Sequence, residues 1–316
     1  MIILRQMIIL FLIMLVGIIC RKKGIITNEG SKVISALVVN VANPALILSA
    51  SINKESVVKG RELLFVAALS IGVYIFLFIM AQIIVTVLRV DKQYVGTYRV
   101  MSVFSNIGFM GFPLVSAVYG SEALLYASFF LIPYNVLIYT WGICAMSANK
   151  SADASDLNGV SDKNGKIALN KIFNIGVIAC ILTIIIYLTQ IRIPDFIESA
   201  VTSLSNLTAP LSMIVIGDSI AQMNFKKLIE DKKLILFALI KQMAVPLIGV
   251  SIIKLMNLGI NMTGVCLVML ATPVGTMTAM LALQYDGDYE LASKGVALTT
   301  IMSVVTIPIV SLLLGI

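Results

Sequence analysis

Apolar runs of roughly 20 residues, each closed by a short charged break, recur along the whole chain. About 20 such residues carry a helix across the roughly 30 Å of hydrocarbon in a bilayer. With no water there to satisfy the backbone, a spanning chain must form helices or a closed barrel. Continuous runs, rather than polar/apolar alternation, select helices. Ten candidate spans follow: 1–20, 33–51, 63–88, 97–119, 123–146, 172–190, 197–218, 234–255, 262–283 and 292–315. Composition agrees, since 59% of the residues are hydrophobic and only 12% charged, with mean hydropathy +1.02. A soluble domain carries about twice that charge. The expected class is an all-α polytopic membrane protein.

Basic residues set its direction. In the first residues, Arg21, Lys22 and Lys23 follow the apolar core and only Arg5 precedes it. A signal peptide has the opposite charge order, so this run is read as a retained first helix. Connections after spans one, three, five, seven and nine hold sixteen Lys and Arg, and the opposite side holds six. The positive-inside rule then places both termini outside a cell membrane. The net charge of +7 is mostly this asymmetry and gives no support for nucleic acid as a partner.

The segment 147–170, "SANKSADASDLNGVSDKNGKIALN", is polar, lacks aromatics and cannot build a core. It divides the chain into a first five-span set over 1–146, a cytoplasmic linker over 147–170 and a second set over 171–316. An odd number of spans per set means that the second enters the membrane from the other side. That is the arithmetic of an inverted repeat. The prolines follow it: Pro44, Pro113 and Pro133 in spans two, four and five match Pro210, Pro273 and Pro308 in spans seven, nine and ten.

Several chemistries are disfavoured. Histidine is absent, and Cys20, Cys144, Cys180 and Cys266 stand singly in apolar runs without metal-ligand spacing. No paired carboxylates or motif-spaced nucleophiles supply a reaction centre, so no enzyme, cofactor or metal is expected. No Asp or Glu stands mid-membrane near either proline break, which argues against sodium/proton antiport.

The breaks are the chemically informative places. In "NIGFMGFP", Gly108 and Gly111 weaken the helix and Pro113 removes an amide hydrogen. "ATPVGTMTAML" places Thr272, Pro273, Gly275 and Thr276 in the ninth span. Broken backbone at membrane depth is tolerable only against protein or a polar cavity. Two crossed, broken helices would aim half-helix amides at one point, which suits a carboxylate.

Four stretches, "NVANPALILSA", "NIGFMGFPLV", "APLSMIVIGDSIAQ" and "ATPVGTMTAML", resemble the auxin efflux carrier family, which includes bacterial and yeast relatives regarded as malate or malonate permeases. The resemblance covers essentially the whole chain. It implies ten helices in two inverted five-helix repeats, with crossed broken helices four and nine at Pro113 and Pro273. It further implies spans three to five and eight to ten as a transport domain rocking against a scaffold of spans one, two, six and seven. A homodimer through scaffold helices is expected. The implied function is secondary transport of a small organic anion, a mono- or dicarboxylate, through efflux or another potential-driven movement. A sodium- or proton-coupled symporter and a nontransporting receptor are the alternatives.

Candidate substrate residues are Asn43, Asn106, Gly111, Pro113, Tyr134, Asn135, Thr272, Pro273 and Thr276. Asn106 lies two turns before Pro113 and resembles the family's polar residue on the fourth helix. Its amide can donate to a carboxylate or cap freed backbone. Asn43 has the same two readings at Pro44. Thr272 and Thr276 are one turn apart, although threonine also bonds its own helix. Tyr134 and Asn135 flank Pro133. Asp218 and Lys241 are read either as a charge pair that moves with a gate, or as a solvated helix end and a snorkelling lysine. Lys241 could also offer an anion its opposing charge.

Overall fold

A computed structural model describes residues 2–52, 60–147, 175–189, 191–222, 230–285 and 287–316. The expected linker lies outside these residues from position 148 onward. Everything described is helical, apart from short turns and two extended breaks.

α1 is Ile2–Lys22. α2 runs from Asn28–Leu37 through a π-helical turn, Val38–Ala42, into Asn43–Ile52. α3 is Gly60–Val87. The fourth span is divided into α4, Val95–Val103, and α5, Phe112–Tyr119, with a π-turn at Ile107–Gly111 leading into the latter. α6 is Ser121–Leu137, extended by a π-turn at Ile138–Gly142 and by Ile143–Ser147. α7 is Ile175–Thr189, and α8 joins Asp195–Ser205 to Thr208–Ala221. α9 runs from Lys232–Leu239 through a π-turn at Ile240–Ala244 into Val245–Lys254. The ninth span is again divided, into α10, Ile260–Ala271, and α11, Thr276–Gln284. α12 is Tyr289–Leu314. Among the described residues, seven helices are long and apolar enough to cross a membrane, and three shorter apolar helices accompany them.

The outer faces explain why lipid is the solvent. On α3, Ile71, Ile75, Ile79 and Ile83 recur every four residues and are all exposed, while Val73, Tyr74, Leu77 and Ala81 are buried. Such a stripe in water would be a large apolar patch. In lipid it costs nothing, but lipid also removes the hydrophobic drive between helices, leaving close packing and hydrogen bonds to hold them. α1 and α8 meet that demand with glycine. A Cβ on Gly17 would overlap the carbonyl oxygen of Ile214, and one on Gly217 would overlap that of Met14. Their backbones therefore touch. Nearby, Arg21 reaches Asp218 at 3.5 Å, and its guanidinium also holds the Ile26 carbonyl and the Asn28 side chain.

Proline explains three of the four π-turns among the described residues. The turns ending at Ala42, Gly111 and Ala244 each precede Pro44, Pro113 and Pro246 by two residues. A proline ring clashes with the carbonyl four residues back, and one extra residue in the turn moves that carbonyl aside. The fourth π-turn instead follows Pro133. Gly120, with φ of 81°, makes the left-handed turn between α5 and α6 that a side chain would strain.

Candidate functional site

α4 ends at Val103, where Phe104 turns extended (φ −99°, ψ 101°); α10 ends at Ala271, where Thr272 does the same (φ −61°, ψ 148°). Each break frees backbone groups that lipid could not satisfy, and the two breaks satisfy each other. Ser105 and Val274 form an antiparallel bridge, in which the Asn106 amide donates to the Pro273 carbonyl at 2.7 Å and the Gly275 amide to the Phe104 carbonyl at 2.9 Å.

The first interruption is therefore centred on Ser105, not on Pro113 as the proline alone suggests. Pro113 is the second residue of α5 and buried, where the preceding π-turn absorbs its ring. Pro273, by contrast, lies within its break. Both half-helices that leave the bridge, toward α5 and along α11, start there with their N-termini. Gly275 precedes α11 without a side-chain cap, and its carbonyl accepts from the Thr278 amide at 2.9 Å; a helix leaves the amides before that one without an intrahelical partner.

Side chains from other elements brace this pair. The Val274 amide donates to the Thr299 hydroxyl of α12 at 3.0 Å. Gln242 of α9 donates to the Thr299 carbonyl at 2.8 Å and accepts from Thr306 at 3.1 Å. On the opposite strand, Lys241 Nζ donates to Ser105 Oγ at 2.9 Å. Ser105, Thr299 and Gln242 escaped the sequence reading. The signal for Gln242 was present, as a polar neighbour of Lys241 inside an apolar run.

Asn106 is 3% exposed and its side-chain oxygen accepts from the Phe109 amide at 3.3 Å, capping the π-turn, while its Nδ2 has no partner among the described residues. Asn43 is buried with Oδ1 likewise unpartnered; a Cβ on Gly108 would sit 3.4 Å from its Nδ2, so the second span reaches the fourth here. Thr272 is fully buried and its hydroxyl is also unpartnered. Gly111 is buried against the Asn106 carbonyl, and a Cβ on it would be 3.6 Å away. A Cβ on Gly275 would lie 3.0 Å from the Ser105 carbonyl and 3.2 Å from the Tyr134 hydroxyl, which brings α6 over the bridge. Thr276, at the start of α11, is half-buried. Asn135 is buried and back-bonds its own helix at the Leu131 carbonyl, 2.9 Å away.

Asp218 and Lys241 are not each other's partners, which corrects the expected pair. Asp218 belongs with Arg21 and with Gln222, 3.1 Å away on the next turn. Lys241 turns to the other side of its own environment, to Ser105. Nor is Asp218 a solvated helix end or Lys241 a snorkelling lysine: Asp218 is 1% exposed at its side chain and Lys241 is 0% exposed. Arg21 was counted only as an orientation signal, so its reach into the bundle was missed.

This arrangement gathers buried donors and acceptors, two helix N-termini and a lysine around one backbone bridge. Comparison with known proteins agrees with that character. The family described as membrane transport protein matches residues 2–311. Among similar proteins, an uncharacterized transporter of Methanocaldococcus jannaschii is 23% identical over 308 residues, covering 95% of this chain and 94% of its own. One of Methanothermobacter thermautotrophicus is 23% identical over 304 residues, covering 96% and 95%. The chain belongs to this membrane transport protein family, whose members are transporters and not enzymes.

Proposed function

We propose that the protein is a secondary carrier of a small organic anion, a mono- or dicarboxylate such as malate or malonate. The observation carrying this reading is the bridge at Ser105 and Val274, with unpartnered polar atoms buried beside it, notably Asn106 Nδ2. Two half-helix N-termini at one point favour negative charge. The resemblance to the auxin efflux carrier family supports the same class.

In this reading the two five-span sets are inverted repeats, and the fourth and ninth spans cross at the bridge. Movement is elevator-like, with spans three to five and eight to ten travelling against a scaffold of spans one, two, six and seven. Polar ties support the partition. Lys233 reaches Asp91 at 3.5 Å, the Asp288 amide donates to Thr97, and Tyr74 donates to the Phe130 carbonyl, all within the moving set. Arg21 with Asp218, and Thr183 with the Ile47 carbonyl, lie within the scaffold. Between the sets, Met7, Met14, Met110 and Met213 line a small apolar pocket with Thr300 and Val304. Methionine adapts to changing neighbours, which suits a sliding surface.

The carrier is multi-pass in the cell membrane with both termini outside, and pairs as a homodimer through scaffold helices. In an inside-negative cell, outward movement of one negative charge releases roughly 2.3 kcal/mol per 100 mV, so efflux needs no coupling carboxylate. Flux of malate, malonate, citrate and indole acetate into liposomes, each under imposed voltage and ion gradients, tests the reading. Selective, saturable anion flux supports it; an absolute need for sodium or a proton gradient would replace it with the symporter, and ligand binding without flux with a receptor.

A further inference from the structure

Lys241 lies inside the bundle. Its side chain is fully buried in the π-turn of α9, and among the described residues no carboxylate lies within 4 Å of its nitrogen. The buried carboxylate of the bundle, Asp218, is committed to Arg21. An ammonium has three donors, and one is used, on Ser105 Oγ at 2.9 Å.

Burying an ammonium without a negative partner is costly, and intramembrane charges without a structural partner mark transport pathways. The position of this one is specific. Ser105 is the residue whose backbone forms the bridge to Val274, and the next residue, Asn106, has its own amide donor unpartnered. The π-turn contributes to the placement, because Pro246 two residues beyond it widens the helix where Lys241 emerges. Gln242, the adjacent residue, binds Thr299 and Thr306, and Lys241 is the cation at this bridge.

We propose that Lys241 is the counter-charge for the transported anion and the residue that selects a carboxylate over a neutral analogue. A carboxylate beside Ser105 would take the spare ammonium hydrogens. Such charge-assisted bonds are the strong ones in a low-dielectric site. This inference rests on the carrier reading, and the experiment separates their failures.

Purified protein in liposomes or detergent is given malonate, its monoamide and its diamide, with both flux and binding measured. Wild type is expected to bind malonate at least tenfold more tightly than malonamide. Lys241→Gln should weaken malonate binding roughly ten- to a hundredfold and nearly abolish the preference over the diamide, and Lys241→Arg should retain it. A folded Gln variant with unchanged malonate affinity and preference would overturn the inference while leaving the carrier reading intact. Should the Gln variant fail to fold, the wild-type comparison decides: equal binding of malonate and malonamide would also overturn it. Absence of flux for every anion in folded wild type would sink the carrier reading itself.

Discussion

Asn106 divides one amide between two tasks. Its oxygen caps a helical turn by accepting from Phe109, and its nitrogen, without a partner among the described residues, is assigned to the anion in the proposed carrier. These tasks separate by substitution. Asn106→Ala is expected to lose about 1 kcal/mol of stability with the cap and roughly tenfold in anion affinity with the donor. Asn106→Ser keeps a capping oxygen but not the amide hydrogens, so thermal unfolding should recover toward wild type while affinity stays low. Affinity that follows stability in both variants would reduce Asn106 to a structural cap. At this same scale the sequence was informative about residue type and poor at partners. Asn106 stood out because an amide inside an apolar run needs a reason. Nothing in the order of residues indicated that Arg21, beyond the end of the first run, folds back onto Asp218, or that Lys241 reaches Ser105 across 136 positions.

At the scale of elements, the positions of the helices were legible because hydrophobic length is imposed by the bilayer, and the breaks because glycine and proline cannot hide in a helix. The centre of the first break was not. Proline marks where an amide is missing, but a π-turn let the helix continue through Pro113, and the extended segment is centred eight residues upstream, where the ninth span could pair with it. Pairing between breaks is tertiary, and only the partner determines where it falls. The glycine contact between α1 and α8 was likewise silent, since a lone glycine in each helix has many explanations. It makes a firm prediction now. Gly217→Ala or Gly17→Ala forces the two backbones apart and should cost about 1–3 kcal/mol, read as a lower unfolding temperature of the detergent-purified protein. Arg21→Met should cost a similar amount, near 3 kcal/mol at most because the guanidinium is partly exposed, by leaving the Asp218 carboxylate buried without its cation. Unchanged unfolding temperatures in these variants would show that α1 and α8 are not held as described.

At the scale of the whole molecule, the proposed carrier has two groups of helices, each with polar ties of its own, that meet across a methionine-lined seam. Met14 and Val304 face the same small pocket from the two sides of that seam. In a background lacking the four native cysteines, Met14→Cys with Val304→Cys should allow a cross-link that stops flux under oxidation and releases it under reductant. A pair placed within the moving set, Asp91→Cys with Lys233→Cys, should cross-link without stopping flux, since those residues travel together. Flux that survives the first cross-link would argue against relative movement along this seam. Such a division is implied by the family resemblance and not by the count of spans, and the chemistry of the seam depends on which faces meet.

The most direct test is flux of labelled malonate and malate through purified protein in liposomes, with an imposed membrane potential and Asn106→Ala as the comparison. The account predicts saturable, anion-selective flux that responds to the potential and falls sharply in the variant. Folded protein that moves none of these anions under any gradient, or that moves them equally well without the Asn106 amide, would contradict it.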